Sequence, residues 1–88
     1  MESQKEWFDN LYLQCSPKMV SIAVRAGFTV EEAEEITQDV FLLFMVKAPA
    51  IRKQNSSPTA YLSATLRNLL GDALRRRRRE GSRREMLE

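Results

Sequence analysis

The sequence predicts an all-α fold, a compact bundle of four helices. Only three Gly and three Pro interrupt its 88 residues, too few for the turns that a sandwich or barrel requires. No segment sustains a period-two alternation bounded by turn residues, so strands are not expected. Apolar residues recur instead at helical spacing, within a composition of 43% hydrophobic and 30% charged residues that belongs to a folded chain. The length allows one domain, with a radius of gyration of roughly 12 Å if compact.

Proline and glycine divide the chain into four helical segments. In residues 5–15, Trp7, Phe8, Leu11, Tyr12 and Cys15 fall on one helical face, and Ser16-Pro17 then reads as an N-cap followed by proline at a first helical position. The second segment carries Met19, Val20, Ile22, Ala23 and Ala26, and Gly27 is placed to terminate it. Thr29 and Glu32 have the spacing of a capping box, which opens a third helix to about Lys47. Its expected core stripe is Ala33, Ile36, Val40, Leu43 and Phe44. Residues 48–57, with Pro49 near one end and Pro58 just beyond the other, read as the single long loop. The fourth helix should run from Pro58 to about Arg79, burying Leu62, Leu66, Leu69, Leu70 and Ala73. This partition makes residues 1–80 the domain and residues 81–88 a polar tail expected to be disordered.

Composition narrows the chemistry. There is no His, the commonest metal ligand and general base, and one cysteine, Cys15, cannot form an intramolecular disulfide. An enzyme is therefore not expected, nor is a metal or other cofactor. Glu31, Glu34 and Glu35 lack an opposing carboxylate pair and read as a solvated cluster. No apolar run reaches 18 residues, and the first ten residues hold acids and Trp7 rather than a basic start with an apolar stretch. A cytoplasmic protein without a membrane partner is the expectation.

Charge is divided along the chain. Residues 1–46 hold three basic against eight acidic groups, net −5, whereas residues 47–88 hold eleven against four, net +7. Two halves of opposite sign suggest two different partners. On the third helix, Glu31, Glu35, Gln38, Leu42 and Met45 share the side away from the core stripe. A solvated face explains the acids through the helix dipole, while a protein-docking face explains why Leu42 and Met45 are there. On the fourth, Tyr61, Thr65, Asn68, Asp72, Arg75 and Arg79 line one flank, a mixture of aromatic, amide and guanidinium groups suited to bases and phosphates. Five successive arginines, 75–79, repel one another at a helix end unless an anion is present. Nucleic acid, a solvated end and an acidic surface all remain open for them on composition alone.

Two separated motifs then bear on the choice. Residues 31–41, EEAEEITQDVF, resemble the "AEDLVQEVF" segment of bacterial sigma factors of the extracytoplasmic-function type, in the sigma-70 family. Tyr61-Leu62 through Arg67-Asn68, with Asp72 and Arg75-Arg76, resembles that family's "WL…ARN…D…RR" helix, and residues 8–26 fit its opening pattern. The resemblance covers roughly residues 7–80 and corresponds to region 2. It implies that Glu35, Gln38, Asp39, Leu42 and Met45 contact the β′ clamp helices of core RNA polymerase. It further implies that the fourth helix and the preceding loop recognise the promoter minus-ten element and hold its non-template strand melted. Tyr61, Thr65 and Asn68 are then expected at the junction of duplex and single strand, Arg75 and Arg76 on phosphates, and Arg52, Lys53, Gln54 and Asn55 around a flipped base. The implied setting is the bacterial nucleoid, and an anti-sigma protein is a further candidate partner.

Two departures from the family pattern stand out: Tyr61 where Trp is usual, and Gly71 inside the recognition helix. The rivals to a sigma region 2 are a stand-alone regulator of polymerase or of an anti-sigma protein, and an unrelated basic nucleic-acid-binding module.

Overall fold

The computed structural model describes residues 2–87 and contains three helices, α1 (Gln4–Arg25), α2 (Val30–Lys53) and α3 (Pro58–Leu87), in that order. Helix α2 is central: α1 and α3 each pack on it and meet one another only lightly. The expected count of four is corrected to three because Pro17 lies inside α1. A helix-interior proline removes one hydrogen bond and crowds the preceding turn, at roughly 3 kcal/mol. The buried stripe nevertheless continues across it, from Phe8, Leu11 and Cys15 to Met19 and Ala23, all members of one core cluster. Tertiary burial on both sides of the proline outweighs the local penalty.

The same physics moves the end of the next helix. Pro49 is inside α2, and Ala48 and Ile51 on either side of it are buried, so the helix runs to Lys53 instead of about Lys47. The long loop expected over 48–57 shrinks to residues 54–57. Helix α3 continues beyond Arg79, through Gly81, to Leu87. With a 30-residue helix about 45 Å long, the molecule is elongated, 60 × 21 × 16 Å, and its radius of gyration of 15.6 Å exceeds the compact expectation.

The helix ends follow local chemistry. Ser3 caps α1 by accepting from the Glu6 N–H at 3.1 Å. Gly27, at φ 103°, takes the left-handed conformation past its end, while the Phe28 N–H reaches the Ala23 carbonyl at 3.2 Å and the Gly27 N–H that of Val24 at 3.0 Å. That is a Schellman termination, which glycine allows without strain. The Thr29–Glu32 capping box is formed in both directions, at 3.1 and 2.9 Å. Asn55, at φ 55°, repeats the Schellman pattern behind α2, with the Ser56 N–H on the Ile51 carbonyl at 3.0 Å. Ser57 then caps α3 through the Ala60 N–H, with Pro58 in the first turn.

The core is an aromatic cluster centred on Phe44, which is fully buried. Its ring lies 5.7 Å from Trp7 and 5.8 Å from Phe8 on α1, and 5.8 Å from Tyr61 on α3. Phe41 is buried between Phe8 and Tyr12. Leu43, expected in the stripe, is instead 49% exposed, because the rings of α1 draw the buried face of α2 round toward Phe41. Ile22 and Ala26, expected to pack, are exposed as well. Leu62, Leu66 and Leu70 are buried as expected. Thr37 is the one buried polar residue among those described, and its hydroxyl donates to the Ala33 carbonyl at 2.8 Å.

Candidate functional site

The outer face of α2 follows from the burial of its inner one. With Val40, Phe41 and Phe44 turned inward, Glu35, Gln38, Asp39, Leu42 and Met45 are all exposed. Leu42 is 60% and Met45 54% exposed, and two more apolar residues join them, Val46 at 78% and Leu43, expected in the core stripe, at 49%. Four large apolar side chains within five positions therefore meet solvent beside three polar ones. Val46 was within reach of the sequence, since it lies one turn beyond Leu42 on the same ridge.

Helix α3 presents a different flank, and the structure divides it. Tyr61 is half-buried, its ring against Phe44, and the half-buried Thr65 hydroxyl donates to the Tyr61 carbonyl at 2.9 Å. Asn68 is exposed with no hydrogen bond to a described residue. Asp72 and Arg75 form an exposed ion pair one turn apart, so Arg75 already has an anionic neighbour. Arg76 turns the other way and lines a groove of about 250 Å³ with Glu35, Asp39 and Ile36 of α2. The flank thus brings Tyr61, Thr65, Asn68 and Arg75 together, whereas Arg76 faces Glu35 and Asp39 on α2.

The loop group is placed unevenly. Arg52 and Lys53 belong to the last turn of α2, Gln54 is its C-cap, and Asn55 makes the left-handed termination. Arg52 is half-buried over the Trp7 ring at 5.7 Å and donates to Gln4 Oε1 at 3.2 Å and to the Glu2 carbonyl. It ties α2 to the start of α1. Lys53, Gln54 and Asn55 are exposed.

Arg77 is the residue the sequence could not single out. Its guanidinium sits 4.2 Å over the Phe28 ring, donates to the Gly27 carbonyl at 2.9 Å, and reaches both Glu32 carboxylate oxygens at 2.9 Å. One member of the arginine run is therefore a clamp joining α3 to the α1–α2 turn. The Glu32 carboxyl is held below its ordinary pKa, first by the Thr29 backbone N–H and then by Arg77. Arg76, Arg78 and Arg79 make no ion pair with a described residue. No group of His, Cys, Asp or Glu among the described residues is arranged to hold a metal ion, and no helix is long and apolar enough to cross a membrane.

The sequence model of sigma-70 region 2 matches residues 11–80, which span the outer face of α2 and the flank of α3. The chain belongs to the sigma-70 region 2 family. No curated protein and no solved structure matches it. Membership makes this sigma region 2 a transcription-initiation domain, in a family that is not one of enzymes, and a helical fold without strands among the described residues agrees with it.

Proposed function

We propose that this sigma region 2, of the extracytoplasmic-function type, docks the outer face of α2 on the β′ clamp helices of core RNA polymerase and offers the flank of α3 to the promoter minus-ten element. The observation that carries the reading is the row Gln38, Leu42, Met45 and Val46, exposed on a helix whose opposite side is fully packed. An apolar ridge of this kind on a small domain marks a protein contact. Its acidic neighbours, Glu35 and Asp39, set the sign of the partner surface.

The DNA half of the proposal needs no covalent chemistry. Strand opening is driven by capture of unstacked bases, each base–aromatic contact contributing roughly 1–3 kcal/mol. Tyr61 offers one partly exposed ring for stacking, held in place by Phe44 and by the Thr65 bond to its backbone. Asn68, exposed one helical turn beyond Thr65, is placed to meet a base edge with its amide. Arg75 supplies a phosphate contact, with Asp72 released from it as the phosphate takes its place, and Arg76 reaches a phosphate by swinging its exposed side chain out of the groove it lines with Glu35 and Asp39. Lys53, Gln54 and Asn55, exposed at the end of α2 just before α3 begins, would surround a flipped base.

The deciding experiment is binding to a β′ clamp-helix fragment. Gln38→Ala and Leu42→Ala should each weaken it by about 1 kcal/mol or more if they are central contacts, with little change in melting because both side chains are exposed. Wild-type affinity in the double variant would remove the docking assignment.

A further inference from the structure

The light contact between α1 and α3 leaves a groove of about 520 Å³ on the side away from the α2 ridge. Its floor is apolar: Cys15, Met19 and Ile22 from α1 face Leu62, Leu66 and Leu70 from α3. Both rows step along a helix by three or four residues, so the trough has two parallel walls about 10–12 Å long. A helix of two to three turns fits such a trough as the fourth member of the bundle. Ile22, 42% exposed, has the chemistry of a core residue without a cover.

The rim identifies the occupant. Lys18 stands on one bank and Arg67 on the other, both exposed, and the residues lining the groove include no acid. We propose that this groove docks an amphipathic helix of another protein whose apolar stripe is flanked by carboxylates. The stripe would cover Ile22 and the half-buried Cys15, above Met19 and leucines that are already buried, while its acids meet Lys18 and Arg67. A second copy fits less well, because a two-fold pairing through this groove sets the same basic rim against itself. Arg67 lies about 100° around α3 from Asn68, so the groove is separate from the flank offered to DNA and the proposal stands without it.

Cys15, the single cysteine and half-buried in the floor, is a built-in reporter. The probe is a synthetic helical peptide of roughly 14 residues, about 21 Å, with leucines along one face and glutamates on both flanks. Its effect on the rate of Cys15 modification by a thiol reagent is measured on the full chain, alongside amide resonance shifts. At about 90% occupancy the rate should fall roughly tenfold, the mass-action limit for an unreactive bound state. Lys18→Glu together with Arg67→Glu should weaken the peptide about tenfold or more without lowering the melting temperature, since like charges across an interface are strongly disfavoured. The same peptide with lysines for glutamates should give no protection. An unchanged rate, equal protection by both peptides, or shifts confined to the arginine run would each overturn the proposal. Protection that grows with the chain's own concentration, with a dimer in sedimentation, would assign the groove to a second copy instead.

Discussion

Replacing Arg77 by alanine separates the arginine that holds the fold from those available to phosphate. The variant loses the hydrogen bond to the Gly27 carbonyl, a contact worth about 1 kcal/mol. It also loses the guanidinium over Phe28, worth about 0.5–1 kcal/mol at a partly exposed site. The Glu32 pair adds little, because both partners are more than a third exposed, at 41% and 44%, and Glu32 keeps its bond to Thr29. The sum, about 1.5–2 kcal/mol, lowers the melting temperature by roughly 6–16 °C in a domain of this size. Calorimetry on the full chain reads this directly. The second readout is the salt dependence of promoter binding, measured with core polymerase. Arg77→Ala should leave its slope unchanged, whereas Arg76→Ala should lower it by up to about 0.9 and melt as the parent does. If Arg77→Ala melts like the parent and lowers the slope as Arg76→Ala does, the clamp is refuted and Arg77 belongs with the phosphate contacts.

Three further outcomes are expected. Asn68→Ala should relax preference at one minus-ten position by about 1–3 kcal/mol and leave the salt slope alone; a uniform loss across sequences, with a falling slope, would put Asn68 on the backbone. Pro17→Ala should raise stability by about 1 kcal/mol or more, since alanine restores a hydrogen bond inside a continuous helix; a lower melting temperature would mean that the chain needs a break there. For Glu32, a depressed folded pKa means stability that is present above the ordinary carboxylate range and lost as pH falls through the folded value. Glu32→Gln, which can still form the capping box, should therefore flatten the acid limb of a stability–pH curve, and an unchanged limb would show that other carboxylates govern it.

The predictions differ in how far they could have been made from sequence. The outer face of α2 was legible because a helix displays its residues with a fixed period, so Gln38, Leu42 and Met45 fall together whatever the helix packs on. The same period, carried through Pro17 and Pro49, contained the continuity of α1 and α2. A local rule about proline, which forbids the helix interior, points the other way. The Arg75–Asp72 pair was equally local, one turn apart, and lowers the number of unpaired cations on the flank. Arg52 belongs by its neighbours in sequence to a basic loop, but its partners in the fold, Trp7, Gln4 and Glu2, are nearly fifty positions away. Leu43, expected in the core stripe, is half exposed for a related reason, since only the rings of α1 fix how far round α2 the cover extends.

What the sequence by itself determined is the all-helical class, the starts at Thr29 and near Pro58, the termination at Gly27, and the opposite charge of the two halves. Each depends on groups within a few residues of one another, where hydrogen-bonding geometry and backbone sterics act without help from distant parts of the chain. The tertiary structure alone decided the number of helices, the exposure of Leu43, the groove between α1 and α3, and the clamp role of Arg77. Those depend on burial summed over contacts far apart in sequence. A proline penalty of roughly 3 kcal/mol is set against several buried side chains at roughly 1.5–3 kcal/mol each, and a reader of local signals sees only the first.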